Sequence, residues 1–166
     1  IKLANFDERL LNVDSNGVLK IPLEMWLAIA FLCRHWLLAL AVTVSYRRNH
    51  DAALLLGSDF TWVVLALEVP TVCFFLLCIL RSTNSGHFVR YLWQHAVWLP
   101  LVTIILHLGY VIWYLSASSY WLPWPELFLV SSALIDLAIG VAFIRSEYWQ
   151  KVLSEFPVFT PKGQKK

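Results

Sequence analysis

Residues 22–46 read PLEMWLAIAFLCRHWLLALAVTVSY, and one residue within them sets the problem. The run is long and apolar, and Arg34 stands near its middle. A helix needs about 20 apolar residues to cross the hydrocarbon core of a bilayer. At that depth a charge costs at least roughly 2.5 to 3.5 kcal/mol, so Arg34 must be paired, hydrated or placed at a protein–protein contact. The spacing predicts a first span over 22–46. On the Arg34 face, steps of three and four give Ala30, Leu38, Ala41 and Ser45, mostly small residues that let helices approach closely in lipid.

The rest of the composition agrees. Of the 166 residues, 59% are hydrophobic and 14% charged, and the mean hydropathy is +0.64. Soluble domains run at roughly 45 to 50% apolar and about 25% charged. The charges gather between apolar runs. The expected fold class is therefore all-α: a polytopic membrane protein, a four-helix transmembrane bundle with short amphipathic terminal segments. A net charge of +2 leaves no basic footprint for nucleic acid.

Working outward, residues 1–20 form a segment with Leu3, Phe6 and Leu10 on one helical face, read as a short surface helix. It has no apolar core of signal-peptide length, so the first span is expected to act as the insertion signal. Asp14-Ser15-Asn16-Gly17 is a turn signal. Pro22 suits the start of a helix, where its missing N–H costs nothing. Residues 21–144 form the membrane domain, with further spans at about 60–80, 91–114 and 124–144. The second contains Glu68 and Pro70, and the proline predicts a kink. In the third, Pro100, Thr103, His107, Tyr110 and Tyr114 share a face. In the fourth, Ser132, Asp136 and Gly140 recur at steps of four. Residues 145–166 form an amphipathic and basic tail, with Trp149, Val152, Leu153 and Phe156 along one side as a second interfacial helix.

Lys and Arg set the orientation. With four spans, one side carries both termini and the second loop, with Lys2, Arg9, Lys20, Arg81, Arg90, Arg145, Lys151, Lys162, Lys165 and Lys166. The other carries Arg47 and Arg48. Both termini are expected to be cytoplasmic.

Each span holds one ionisable group well inside it: Arg34, Glu68, His107 and Asp136. At about 1.5 Å per residue their depths spread over about two helical turns, within reach of an arginine side chain. Arg34 is expected to pair with Glu68 or Asp136. With both acids ionised the site is acidic by one charge, which a proton on a carboxyl or on His107 would balance. The centre reads as polar glue fixing helix register, as an ion path, or as a contact to another subunit. Six glycines and no recognisable broken-helix pattern weigh against a transporter. Four helices per copy are few for alternating access, although a homo-oligomer would supply more.

Other chemistry is sparse. Cys33, Cys73 and Cys78 lie inside apolar runs and read as small hydrophobes. His87, His95 and His107 lack dense metal-ligand spacing, so no metal site is expected. Tyr110, Trp113 and Trp124 could line a groove for a lipid or quinone. No nucleophile elbow, phosphate-cradling glycine loop or paired soluble carboxylates occur, so neither enzyme activity nor a cofactor is expected.

One stretch carries a resemblance. Asp14, Gly17-Val18-Leu19-Lys20-Ile21-Pro22, Trp26 and Phe31-Leu32-Cys33-Arg34-His35-Trp36 resemble the YfeZ-like family of uncharacterised bacterial inner-membrane proteins, a domain of unknown function. The resemblance covers about residues 14–46, and beyond them it rests on length and span number. It implies a Gram-negative inner-membrane protein and no particular activity. Partners are then the lipid bilayer and, by short loops and amphipathic termini, a larger inner-membrane complex. The leading expectation is a non-catalytic accessory or scaffold subunit. The alternatives are a small oligomeric transporter or proton-coupled protein using Arg34, Glu68, His107 and Asp136, and a lipid- or quinone-binding protein.

Overall fold

The computed structural model describes residues 19–46, 62–82, 85–117 and 123–157. Within them the chain forms seven helices and no strand: α1 Leu23–Leu32, α2 Arg34–Tyr46, α3 Trp62–Leu80, α4 His87–Gln94, α5 Trp98–Ala117, α6 Pro123–Arg145 and α7 Glu147–Ser154. Three helical stretches are long and apolar enough to cross a membrane: Trp62–Leu80, Trp98–Ala117 and Leu127–Arg145. The pair α1–α2 makes a fourth if its two halves are counted as one span.

Polarity is inverted relative to a soluble protein. Glu68, Thr71, Thr103, His107, Ser132 and Asp136 are buried, while Leu23, Ile105, Ile112, Leu134 and Ile144 are exposed. Burying polar groups inside and presenting aliphatic ones outside is favourable only where the surrounding solvent is apolar. Helix α5 sits centrally and packs against α1, α3 and α6. Its stripe of Pro100, Thr103 and His107 is buried as the spacing predicts, Tyr110 is half-buried and Tyr114 exposed. Ser132, Asp136 and Gly140 are buried on α6. A Cβ on Gly140 would stand 3.3 Å from Ile104 Cδ1, so this glycine marks a close approach of α5 and α6.

The first span departs from expectation. It is two helices with Cys33 between them, and Leu23–Leu32 and Arg34–Val44 meet at 74°. Neither glycine nor proline makes the break. Cys33 sits at φ −100° and ψ 20°, a conformation open to any L-residue. In a continuous helix the His35 N–H would donate to the Phe31 carbonyl and the Trp36 N–H to the Leu32 carbonyl. Here both N–H groups donate to Glu68, and the Phe31 carbonyl accepts from Arg34 Nη1 at 3.2 Å. Buried backbone groups must be satisfied, so local propensity could not reveal this break: its partners come from elsewhere in the chain. Helix α3, by contrast, runs through Pro70 without interruption.

Two further boundaries move. The third span starts at Trp98, not near 91, because 87–94 form the separate amphipathic helix α4, with Trp93 buried and Phe88 and Tyr91 exposed. The C-terminal helix α7 is not a free interfacial element. Trp149, Val152 and Leu153 are buried in the core, and Ser146 caps its start by accepting the Trp149 N–H. Phe143 packs edge-on against both Phe74 and Trp149, at 5.8 and 4.8 Å between centroids. The Arg81 guanidinium donates to the Leu19 and Glu155 carbonyls at 3.0 and 2.9 Å, and lies over the Trp93 ring. The segment before α1, the end of α3 and the segment after α7 therefore meet at one end of the bundle. The expected surface helix carrying Leu3, Phe6 and Leu10 lies outside the described residues.

Candidate functional site: a buried charge network at the helix break

The 74° turn at Cys33 aims the first turn of α2 at the bundle interior. Arg34, the first residue of α2, reaches Asp136 on α6, with Nη1 3.0 Å from Oδ1 and Nη2 3.4 Å from Oδ2. The two-pronged fit matches the guanidinium fork to the carboxylate. The guanidinium also lies 4.8 Å from the Phe31 ring centroid. Of the two pairings open from sequence, Asp136 is the one made.

Asp136 has a second partner. Its Oδ2 lies 3.2 Å from His107 Nδ1 on α5. The arginine-bound carboxylate is the acceptor of this contact and His107 Nδ1–H the donor. The ring's other nitrogen, Nε2, is turned toward Glu68. Nε2 is buried with no hydrogen-bond partner, and it lies 3.7 Å from Glu68 Oε1.

Glu68 is fully buried, on a helix with no other charged residue. It accepts the N–H of His35 at 3.2 Å and of Trp36 at 3.3 Å through Oε2, and His35 Nδ1 lies 2.5 Å from Oε1. Unpaired N–H groups and the helix dipole make the start of α2 a seat for negative charge. The Trp36 indole ties the same turn to α3 by donating to the Leu65 carbonyl at 2.9 Å. The groups form one chain across four helices: Arg34–Asp136–His107–Glu68–His35. The His35 and His107 rings stand edge to face, 6.3 Å between centroids.

All four ionisable residues singled out from sequence thus converge. His35, the fifth member, is one that sequence reasoning passes over. Its only signal is a titratable side chain next to Arg34 inside an apolar run. His87 and His95 lie on or beside α4, whereas His107 groups with His35 and Glu68, each offering a ligand atom within 4.8 Å of the others. The aromatic groove is less well formed. Tyr110 and Trp113 are 6.1 Å apart in a tilted arrangement and Trp113 is exposed, while the Trp124 side chain lies outside the described residues. Cys33 and Cys78 are buried free thiols and Cys73 is an exposed one.

An all-α chain with three or four helices long and apolar enough to cross a membrane, and a polar interior, has the make-up of a helical membrane protein. Residues 9–155 match the family described as Protein of unknown function (DUF2919), and the chain belongs to that family. The match runs well beyond the N-terminal stretch that carries the resemblance seen in sequence. Comparisons with curated proteins and with solved structures return no match.

Proposed function

We propose that this protein is a small cation-handling membrane transporter, with the Arg34–Asp136–His107–Glu68–His35 network as its ion-binding centre. One observation carries the reading: a fully buried carboxylate, Glu68, seated on the first turn of a half-helix that begins at a break inside an apolar run. Discontinuous helices whose ends face buried charges are a recurrent device for binding ions near the bilayer midplane. Counting α1–α2 as one broken span gives four crossings and puts both ends of the chain on one side. The excess of Lys and Arg there supports cytoplasmic termini. The resemblance to YfeZ-like proteins supports a bacterial inner membrane.

The test is charge movement by the full chain in proteoliposomes, driven by a proton gradient or by a divalent-cation gradient. Wild type is expected to pass current, and Glu68→Gln and Asp136→Asn to lose most of it. Variants that assemble normally and conduct like wild type would sink the reading, as would a wild type that conducts nothing.

An accessory subunit of a larger membrane complex is the second reading. An open apolar groove between α1 and α6, lined by Leu27, Ala28, Phe31, Leu134, Ile135 and Ala138 among others, favours it. The groove offers a face to a neighbouring helix. Purification from native membrane at natural expression, with mass spectrometry of co-migrating proteins, separates the readings. A partner at fixed stoichiometry supports the accessory role, and a homo-oligomer supports the transporter.

A further inference from the structure

We infer that His35, Glu68 and His107 form a binding site for a divalent first-row transition-metal ion, with Asp136 and Arg34 as its outer support. The inference deepens the cation-handling reading and rests on it for biological role, but its geometry stands alone.

The donor set points to this ion class. Two imidazole nitrogens and one carboxylate oxygen lie within 4.8 Å of one another. Imidazole suits zinc, iron, copper and nickel, whereas magnesium and calcium favour all-oxygen surroundings. Three protein ligands leave at least one coordination position open, as in metal sites that exchange ligands.

The state of His107 is the second observation. Nε2 is buried without a hydrogen-bond partner, an arrangement that works against stability unless something fills it. The ring is held in this orientation because Nδ1 pairs with Asp136, 3.2 Å away. Metal-ligating histidines are characteristically oriented in this way, by a carboxylate on the other ring nitrogen. Arg34 in turn fixes Asp136 through both carboxylate oxygens. A ring supported from behind, with Nε2 3.7 Å from a carboxylate oxygen, is set for a cation between them.

The other two ligands complete the site. Glu68 is anchored through Oε2 by two backbone N–H groups, and Oε1 is the atom facing both histidines. The 2.5 Å contact between His35 Nδ1 and Oε1 is one that a metal would replace, with the neutral ring carrying its proton on Nε2 and offering Nδ1 to the ion. The His35 side chain is 27% exposed while Glu68 is 0%, so His35 is the ligand on the approach side. With neutral imidazoles, Arg34, Asp136 and Glu68 sum to one negative charge, and a divalent ion changes the sign.

The experiment uses the full chain in nanodiscs, stripped with chelator and then titrated with Co²⁺ and Zn²⁺. The expected result is one ion bound per chain, a visible ligand-field band with Co²⁺ lacking a thiolate charge-transfer component, and loss of that band on adding Zn²⁺. Glu68→Gln and His107→Gln should abolish it. Asp136→Asn should weaken affinity by about 10- to 100-fold, and His95→Gln should leave it unchanged. No band in wild type overturns the site even if the variants fail to fold, and so does a thiolate band or binding that survives His107→Gln. A bound ion that is never moved across liposomes leaves this site standing and refutes transport. Proton current without metal binding does the reverse.

Discussion

Removing Asp136 should be the most damaging single polar change in the protein, and the cost can be worked from its contacts. Asp136 is 1% exposed and serves both Arg34 and His107. In Asp136→Ala the guanidinium loses its counter-charge and His107 Nδ1–H its acceptor. Breaking a buried ion pair by deleting one partner costs about 3 to 5 kcal/mol. Arg34 keeps 19% exposure and a long stem that can carry its charge toward the interface, which favours the lower half of that range. The orphaned His107 donor adds at least about 1 kcal/mol, so a net loss of at least about 4 kcal/mol is expected. For a chain of this length that corresponds to a fall in melting temperature of roughly 8 to 16 °C. The assay is thermal unfolding in one fixed detergent, followed by tryptophan fluorescence, for Asp136→Ala, Arg34→Met and the double variant. Since the two side chains satisfy each other, the double variant should be less damaged than the sum of the singles by about 0.5 to 3 kcal/mol. Strict additivity, or an Asp136→Ala variant within about 1 kcal/mol of wild type, would refute the pairing as the element that ties α2 to α6.

Three further outcomes follow from the packing. Glu68→Gln keeps the acceptor oxygen but removes the charge at the start of α2, so it should cost about 1 to 2 kcal/mol; the His35 and Trp36 amides should exchange hydrogen roughly 5- to 30-fold faster, and unchanged exchange would mean the break is held by something else. Gly140→Val should lose about 1 to 3 kcal/mol by overpacking against Ile104, whereas Gly140→Ala meets only the mobile Cδ1 end of that side chain at 3.3 Å and should cost under about 1 kcal/mol in the same melts. Trp93→Ala removes a buried ring that stacks on Phe74 and lies under Arg81; a loss of about 3 to 5 kcal/mol is expected, measured by equilibrium unfolding.

How much of this was open to a reader of the sequence divides by physical cause. Spans two and four were legible because continuous apolar runs end at Arg81 and Arg145, and lipid leaves a chain no other way to satisfy its backbone. The inward stripes on α5 and α6 were legible because a polar residue in a membrane helix must face protein. Arg34 could be placed against two candidate acids by depth alone, but choosing Asp136 over Glu68 needs the direction of α2. That direction depends on the turn at Cys33, where neither glycine nor proline signals a break. The role of His35 was hidden for the same reason, since on a straight helix it would not adjoin Glu68. Helix α4 did leave a trace, with His87, Arg90 and Gln94 recurring along one face, a polar stripe unsuited to the start of a span.

A network built only to fix helix register would be expected to close on itself, because each unsatisfied group works against the stability it supplies. Most of this one does close. Arg34 is matched by Asp136 and the Phe31 carbonyl, and Glu68 by two amides and an imidazole. The exception is His107 Nε2, which faces a carboxylate across 3.7 Å with no hydrogen bond between them. Simple glue would draw the two groups into contact. The helix break points the same way. A continuous α1–α2 would satisfy its own backbone and need no buried acid, so Glu68 and the turn at Cys33 are each costly without the other. Together they leave one fixed carboxylate, one oriented imidazole and one half-exposed histidine around a common point. Packing alone calls for none of the three in that relation, whereas binding a cation calls for all of them.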